Sequence, residues 1–308
     1  MKKFFIPALL LLTALCALLL YFPRRTVDIP VPVPDTLSLK NTQATYELIP
    51  TPDDISIITE HKQYTFPFDN RQVLVDIAVC DLDQDGNEEM LVLLGDPSKE
   101  YADDFVIYAL QTEVDGLRPG EFPPSEFPSG EFPPDGSPFS LKEIYRNTLT
   151  PINPWTVDTC DIDGDGEPEI FIGVNKGTEY YPEQANRPFF FNFRDNMLVK
   201  KWTGSKLRHP FTQISFADIN GNGSDELIVI EQIDERTSVI SIYYWFGFGF
   251  TLLAESSGYE QIDSAKVVIN AGKWHIEAEV VTNKTQKPLK LVLSTKRTID
   301  NIYRLEEH

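Results

Sequence analysis

Histidine, cysteine and basic side chains are all scarce in this sequence. Histidine occurs only 4 times in 308 residues, at His61, His209, His275 and His308. None stands at metal-ligand spacing from another, and none is paired with a recognisable nucleophile motif. Each is expected to be a surface or packing residue. Cysteine occurs 3 times, too few for a disulfide framework. Basic residues are also scarce: 27 Lys and Arg stand against 47 Asp and Glu, a net charge of −20. That balance argues against nucleic-acid binding, which needs a basic footprint. It implies a negative field that keeps the chain soluble and attracts cations or basic partners.

The acid that is present is concentrated in a nine-residue pattern that occurs three times. The first copy is Asp81-Leu82-Asp83-Gln84-Asp85-Gly86-Asn87-Glu88-Glu89. The second is Asp161-Ile162-Asp163-Gly164-Asp165-Gly166-Glu167-Pro168-Glu169, and the third is Asp218-Ile219-Asn220-Gly221-Asn222-Gly223-Ser224-Asp225-Glu226. Calcium takes six to eight hard oxygen ligands at about 2.3–2.6 Å, and carboxylates alternating with spacers supply them from a short loop. Asp81, Asp83 and Asp85 alternate in this way, and Gly86, Gly166 and Gly223 permit the sharp turn. The nearest motif with a helical frame, the EF-hand, closes with a bidentate Glu at position twelve. Here position twelve is Val92, Ile172 or Val229, and the acid stands at position nine. The flanks are short β-branched runs, such as Val73–Val79 and Met90–Leu94, which predict strands. Acidic β-turns without metal are the plain alternative, since hairpins favour Asp, Asn and Gly. Three copies in one register favour metal.

A strand, an Asp-rich loop and a second strand resemble the FG-GAP (or VCBS) repeat of integrin-α-type β-propellers. The likeness spans roughly residues 66–308, although the three loops carry the specific signal. It implies that each loop joins the first two strands of a blade and holds one structural calcium ion. The ligand sets it implies are Asp81, Asp83, Asp85, Asn87 and Glu89, then Asp161, Asp163, Asp165, Glu167 and Glu169, then Asp218, Asn220, Asn222, Ser224 and Glu226. The third set replaces two carboxylates with amides, so it is expected to bind most weakly.

From its start, the chain reads as an anchor, a spacer and a β domain. After Met1-Lys2-Lys3, Phe4–Phe22 is uncharged and almost wholly apolar, and its 19 residues suffice to cross a bilayer. Leu20–Arg25 makes a poor cleavage site, which favours an uncleaved anchor over residues 1–25, with lipid attachment at Cys16 and ordinary cleavage as alternatives. Lys2 and Lys3 balance Arg24 and Arg25, so flanking charge does not decide orientation; calcium favours placing the body outside the cytoplasm. Residues 26–44 contain Ile29–Pro34, whose alternating prolines enforce an extended spacer. From residue 45 an all-β, propeller-like array of about four four-stranded units is expected. Three units carry loops; a fourth from Gln261 has lost its loop, and Tyr46–Ile49 is the candidate closing strand. Asp161 and Asp218 stand 57 residues apart, whereas Asp81 and Asp161 stand 80 apart. The excess of 23 matches an insert at 117–139 that repeats Glu-Phe-Pro three times, either a docking segment or a neutral expansion.

Cys80, Cys160 and Ala217 each precede the first Asp of a copy, which predicts a small buried residue there, with a Cys80–Cys160 disulfide as the alternative. The aromatic runs Phe189–Phe193 and Tyr243–Phe250 predict packing between blades, or else a carbohydrate-stacking surface. The function expected is a membrane-tethered, extracytoplasmic calcium-binding module for adhesion or scaffolding, with a protein or carbohydrate ligand. An accessory subunit of a membrane assembly is the alternative. A polysaccharide-active enzyme is less favoured, because no convergent set of acids, bases and cations stands outside the loops.

Overall fold

Runs of β-branched and aromatic residues form strands, and the strands come in groups of four. The computed structural model describes residues 36–59, 62–69, 71–112, 138–179, 181–270 and 273–308. The first unit contains β1 (Leu37–Lys40), β2 (Thr45–Pro50), β3 (Asp54–Ile58) and β4 (Gln63–Pro67). The second contains β5 (Val73–Cys80), β6 (Glu89–Gly95), β7 (Asp104–Thr112) and β8 (Phe139–Thr148). The third contains β9 (Pro154–Cys160), β10 (Glu169–Lys176), β11 (Ala185–Arg194) and β12 (Met197–Thr203). The fourth contains β13 (Phe211–Ala217), β14 (Glu226–Asp234), β15 (Thr237–Trp245) and β16 (Phe250–Glu255). The fifth contains β17 (Gln261–Asn270), β18 (Lys273–Thr282), β19 (Thr285–Arg297) and β20 (Tyr303–Glu307). Each unit is an antiparallel meander in chain order, and a parallel pair, β16 with β20, joins the last two units into one sheet.

The second strand of the middle units explains how the units stack. β6 is buried along its whole length, as a strand covered on both faces must be. Successive side chains point to opposite faces. Met90, Val92 and Leu94 therefore join a core shared with Leu48, Ile55, Ile57 and Phe66 of the first unit. Leu91 and Leu93 join a different core, shared with Ile170, Ile172 and Val174 of β10. The same division recurs along the chain. Phe171 of β10 packs with Leu227 and Val229 of β14, while Ile228 and Ile230 of β14 pack with Ile276, Ala278 and Val280 of β18. Each such side chain contributes about 1.5–3 kcal/mol by leaving water. Consecutive units are thus bonded face to face, in a propeller-like array whose first strands β1, β5, β9, β13 and β17 adjoin in order.

Two expectations are corrected. The units among the described residues number five, not about four, in four sheets. Tyr46–Ile49 is not a closing strand: it lies within β2, hydrogen-bonded between β1 and β3 of its own sheet. The physical reason is the two-faced burial of β6, whose Met90, Val92 and Leu94 need a complete sheet over them. That sheet begins at Leu37, within the segment grouped with the proline-rich spacer. The apolar stretch Phe4–Phe22, Cys16, the prolines of Ile29–Pro34 and most of the 117–139 insert lie outside the described residues. The insert falls between β7 and β8, as its spacing predicts. No helix among the described residues is long and apolar enough to cross a membrane.

One buried acid ties the inner strands together. Asp76 of β5 is 5% exposed. Its Oδ2 accepts hydrogen bonds from Thr156 Oγ1 at 2.7 Å and Val157 N at 2.9 Å, both on β9. Burial pushes its pKa up from the ordinary 3.8 to about 6, despite the opposing bonds from Thr156, Val157 and Ile77. Between those values the folded chain holds a proton that the unfolded chain has released, so stability falls as pH rises through 6. The difference corresponds to about 3 kcal/mol. Metal-free protein should therefore gain stability toward denaturant as pH is lowered from 7 to 4.5, and Asp76→Asn should gain clearly less; equal slopes would rule this origin out.

Candidate metal-binding rim

Each Asp-rich loop joins the first strand of a unit to its second: 81–88 between β5 and β6, 161–168 between β9 and β10, and 218–225 between β13 and β14. The loops fold alike because the same side chains hold the same backbone groups. The first Asp accepts the N–H of the turn glycine through Oδ2, with Asp81–Gly86, Asp161–Gly166 and Asp218–Gly223 each at 2.9 Å. Those glycines have φ of +91°, +82° and +89°, in the left-handed region where a Cβ is strained. The Glu at position nine turns inward. Glu89, Glu169 and Glu226 are buried, and each Oε2 accepts the N–H of position two, from Leu82, Ile162 and Ile219, at 3.0 Å.

The loops gather their acids differently. In the first, Asp81, Asp83 and Asp85 bring one carboxylate oxygen each to within 4.8 Å of one another, while Glu89 is not among them. In the second the converging set is Asp161, Asp163 and Glu169; Asp165 instead accepts the Glu167 N–H at 2.8 Å. Among the described residues no third acidic triplet closes at that distance, because Asn220 and Asn222 replace carboxylates. Asn222 Oδ1 accepts the Ser224 N–H at 2.8 Å, and Asn220 Nδ2 donates to Glu226 Oε1. Position-seven side chains are engaged elsewhere in two loops: Asn87 Oδ1 accepts the Thr42 N–H at 3.1 Å, and Glu167 pairs with Arg194 at the surface.

Electrostatics separates the loops further. Burial, reinforced by neighbouring Asp carboxylates, pushes Glu89 and Glu226 up to about 7 against the opposing bonds from Leu82 and Ile219. Burial also raises Glu169, but there a cation opposes it. Lys201 Nζ lies 2.5 Å from Glu169 Oε1 and 2.5 Å from Asp163 Oδ2, with its side chain 13% exposed. Asn192 Nδ2 donates to the same Glu169 oxygen at 3.1 Å.

The loops form a continuous rim. Glu88 N donates to Lys40 O at 2.8 Å, which fastens the first loop to the first unit. Gln84 Nε2 donates to Gly166 O, which links the first loop to the second. Asp161 N donates to Asp225 Oδ2 at 2.9 Å and Asp225 N to Asp161 O at 2.7 Å, which links the second to the third. Two clefts open along the rim. One lies between Asp83, Gln84, Glu167 and Arg194; the other lies between Asp163, Lys201, Ser224, Trp245 and Phe246.

Lys201, Arg194 and Asp225 are absent from the ligand sets drawn from the sequence. Asp225 stands inside the third motif at position eight, so its acidity was visible there, but its partner on another blade was not. The run Phe189–Phe193 is mainly core, with Phe190 fully buried, whereas in Tyr243–Phe250 Tyr243 is buried but Tyr244, Phe246 and Phe248 are exposed, Phe248 at 76% beside Phe246. Cys80 and Cys160 are free thiols; Cys160 and Ala217 are buried, and Cys80 is half-buried. No family model and no curated protein matches this chain. A Cβ added at Gly166 would meet nothing within 4 Å, so its cost is confined to the backbone. Gly166→Ala should lower unfolding stability by about 1–2 kcal/mol, measured by denaturant midpoint; no change would mean that the loop does not hold this turn.

Proposed function

We propose that this chain is a calcium-stabilised, propeller-like repeat protein of the FG-GAP/VCBS kind, serving as a binding or scaffold module outside the cytoplasm. Phe4–Phe22 is its proposed tether to a membrane. The observation that carries this reading is the convergence of Asp81, Asp83 and Asp85 in a loop whose backbone is held open by Asp81 and Glu89. The donors are all hard oxygens, which suits calcium and disfavours softer transition metals. An ion there would offset the mutual repulsion of the carboxylates. Because each loop bonds to its neighbour, the ion would also stiffen the contact between blades. Its free energy of binding adds to that of folding, by about 2.7 kcal/mol per site at a hundredfold excess over Kd.

The clefts along the rim are the proposed contact surface for a protein or carbohydrate ligand, with Trp245, Phe246 and Phe248 as apolar contacts beside charged groups. Calcium would then act indirectly, by fixing the loops that border them.

Full-length protein stripped of metal should bind calcium in a calorimetric titration and melt at a higher temperature afterwards. The triple variant D81N/D83N/D85N should lose one bound ion while keeping its strand content by circular dichroism. Absence of binding heat, with a melting temperature indifferent to EDTA, would reduce the loops to acidic turns.

A further inference from the structure

The three loop-bearing units share one irregularity that allows them to be superposed residue by residue. In each, the ladder between third and fourth strands skips one residue. Tyr108 pairs with Glu143 and Ile107 with Tyr145, which leaves Ile144 unpaired in β8. Phe191 pairs with Lys200 and Phe190 with Trp202, which leaves Lys201. Tyr243 pairs with Leu252 and Ile242 with Ala254, which leaves Leu253. A bulge of this kind re-aims one side chain. The ladders to the second strand confirm the correspondence: Glu89 opposes Ala109 next to Tyr108, and Glu169 opposes Asn192 next to Phe191. Ile144 and Leu253 pack against apolar cores. Lys201 alone carries a charge at this place, and it reaches the carboxylates of its own loop.

From this we propose that Lys201 is the resident cation of the second loop, so that calcium is taken by the other loops and not by this one. The inference rests on the calcium reading given above. The ammonium lies 2.5 Å from both Asp163 and Glu169, two of the three acids that converge there. Calcium binds oxygen at about 2.3–2.6 Å, so the two cations compete for the same oxygens. An ion entering beside Lys201 would meet a like charge in a half-buried site, where repulsion is poorly screened. Lys201 is tethered, so it loses no translational freedom on binding. The consequence is positional. The second loop lies between the other two and is bonded to both, through Gln84 with Gly166 and through Asp161 with Asp225. A loop neutralised from within would keep the middle of the rim ordered when calcium is scarce, while its neighbours respond to the ion.

The test is calcium stoichiometry by titration calorimetry on full-length wild type, K201I and D163N, with melts in EDTA. Lys201→Ile restores the residue type found at the other two bulges. K201I should bind one calcium ion more than wild type, and D163N in the wild-type background should leave the ion count unchanged. An equal count for K201I and wild type, or an ion lost in D163N, overturns the proposal. In EDTA, K201I should melt about 2–4 °C below wild type, because two carboxylates lose their counter-ion. If no variant binds calcium, the functional reading fails and the EDTA melts decide alone: a lower melting temperature for K201I upholds Lys201 as the loop's cation, and an unchanged one refutes it. Should K201I fail to fold without metal, K201M, which keeps the aliphatic stem, carries the same comparison.

Discussion

The rest of the structure depends on the two-faced burial of the second strand in each middle unit. A strand such as Glu89–Gly95, apolar at every position between its ends, cannot face water on either side. Alternation divides its side chains between two cores, so each sheet must have a neighbour on both faces. Stacking follows from that requirement, and so does the alignment of equivalent loops. Once β6, β10 and β14 are held in successive layers, the turns that precede them are brought close enough to bond to one another. The rim is thus a product of core packing, although the carboxylates and amides that line it are polar.

Placing acids so close together has an electrostatic cost that the chain offsets in stages. Backbone N–H groups meet the first Asp and the inward Glu of every loop, which fixes the carboxylates in place without neutralising them. Glu89 and Glu226 remain pushed toward neutrality by burial and by their Asp neighbours. That is the condition under which a divalent cation has most to contribute, since it relieves repulsion already present in the fold. The second loop has the same backbone scaffold with a lysine set into it. One geometry would thus accommodate two solutions to one charge problem, the proposed ion and the lysine, and what separates them is a single side chain at a bulge.

Much of this was legible in the sequence. Phe105–Tyr108, Phe189–Phe193 and Val239–Tyr244 fall within third strands, and the glycines of all three loops take the turn expected of them. These features are local: period-two alternation and a motif read within nine residues. The first sheet was missed because its strands are four to six residues long and it carries no loop motif to mark it. Its necessity lies in the uncovered face of β6, which is a property of packing. Lys201 was missed for a related reason. It stands 32 residues from Glu169, and two ladder registers plus a bulge decide where it points. A slip of one residue would direct it to the opposite face.

Asp225 makes the same point about position and role. It belongs to the third motif, yet its carboxylate is bonded to the backbone of the second. An acid within a metal-type loop is therefore not automatically a ligand; here it joins blades. The rim is better understood as a chain of loops in which backbone bonds and an internal ammonium restrain the carboxylates, and on the proposed reading exchangeable cations would restrain the same groups. Restraint from within is permanent, whereas restraint by a free ion follows its concentration. If calcium binds as proposed, both kinds would act on loops bonded in series, and the stiffness of the border around each cleft would depend on which loops are neutralised by the chain and which wait for an ion.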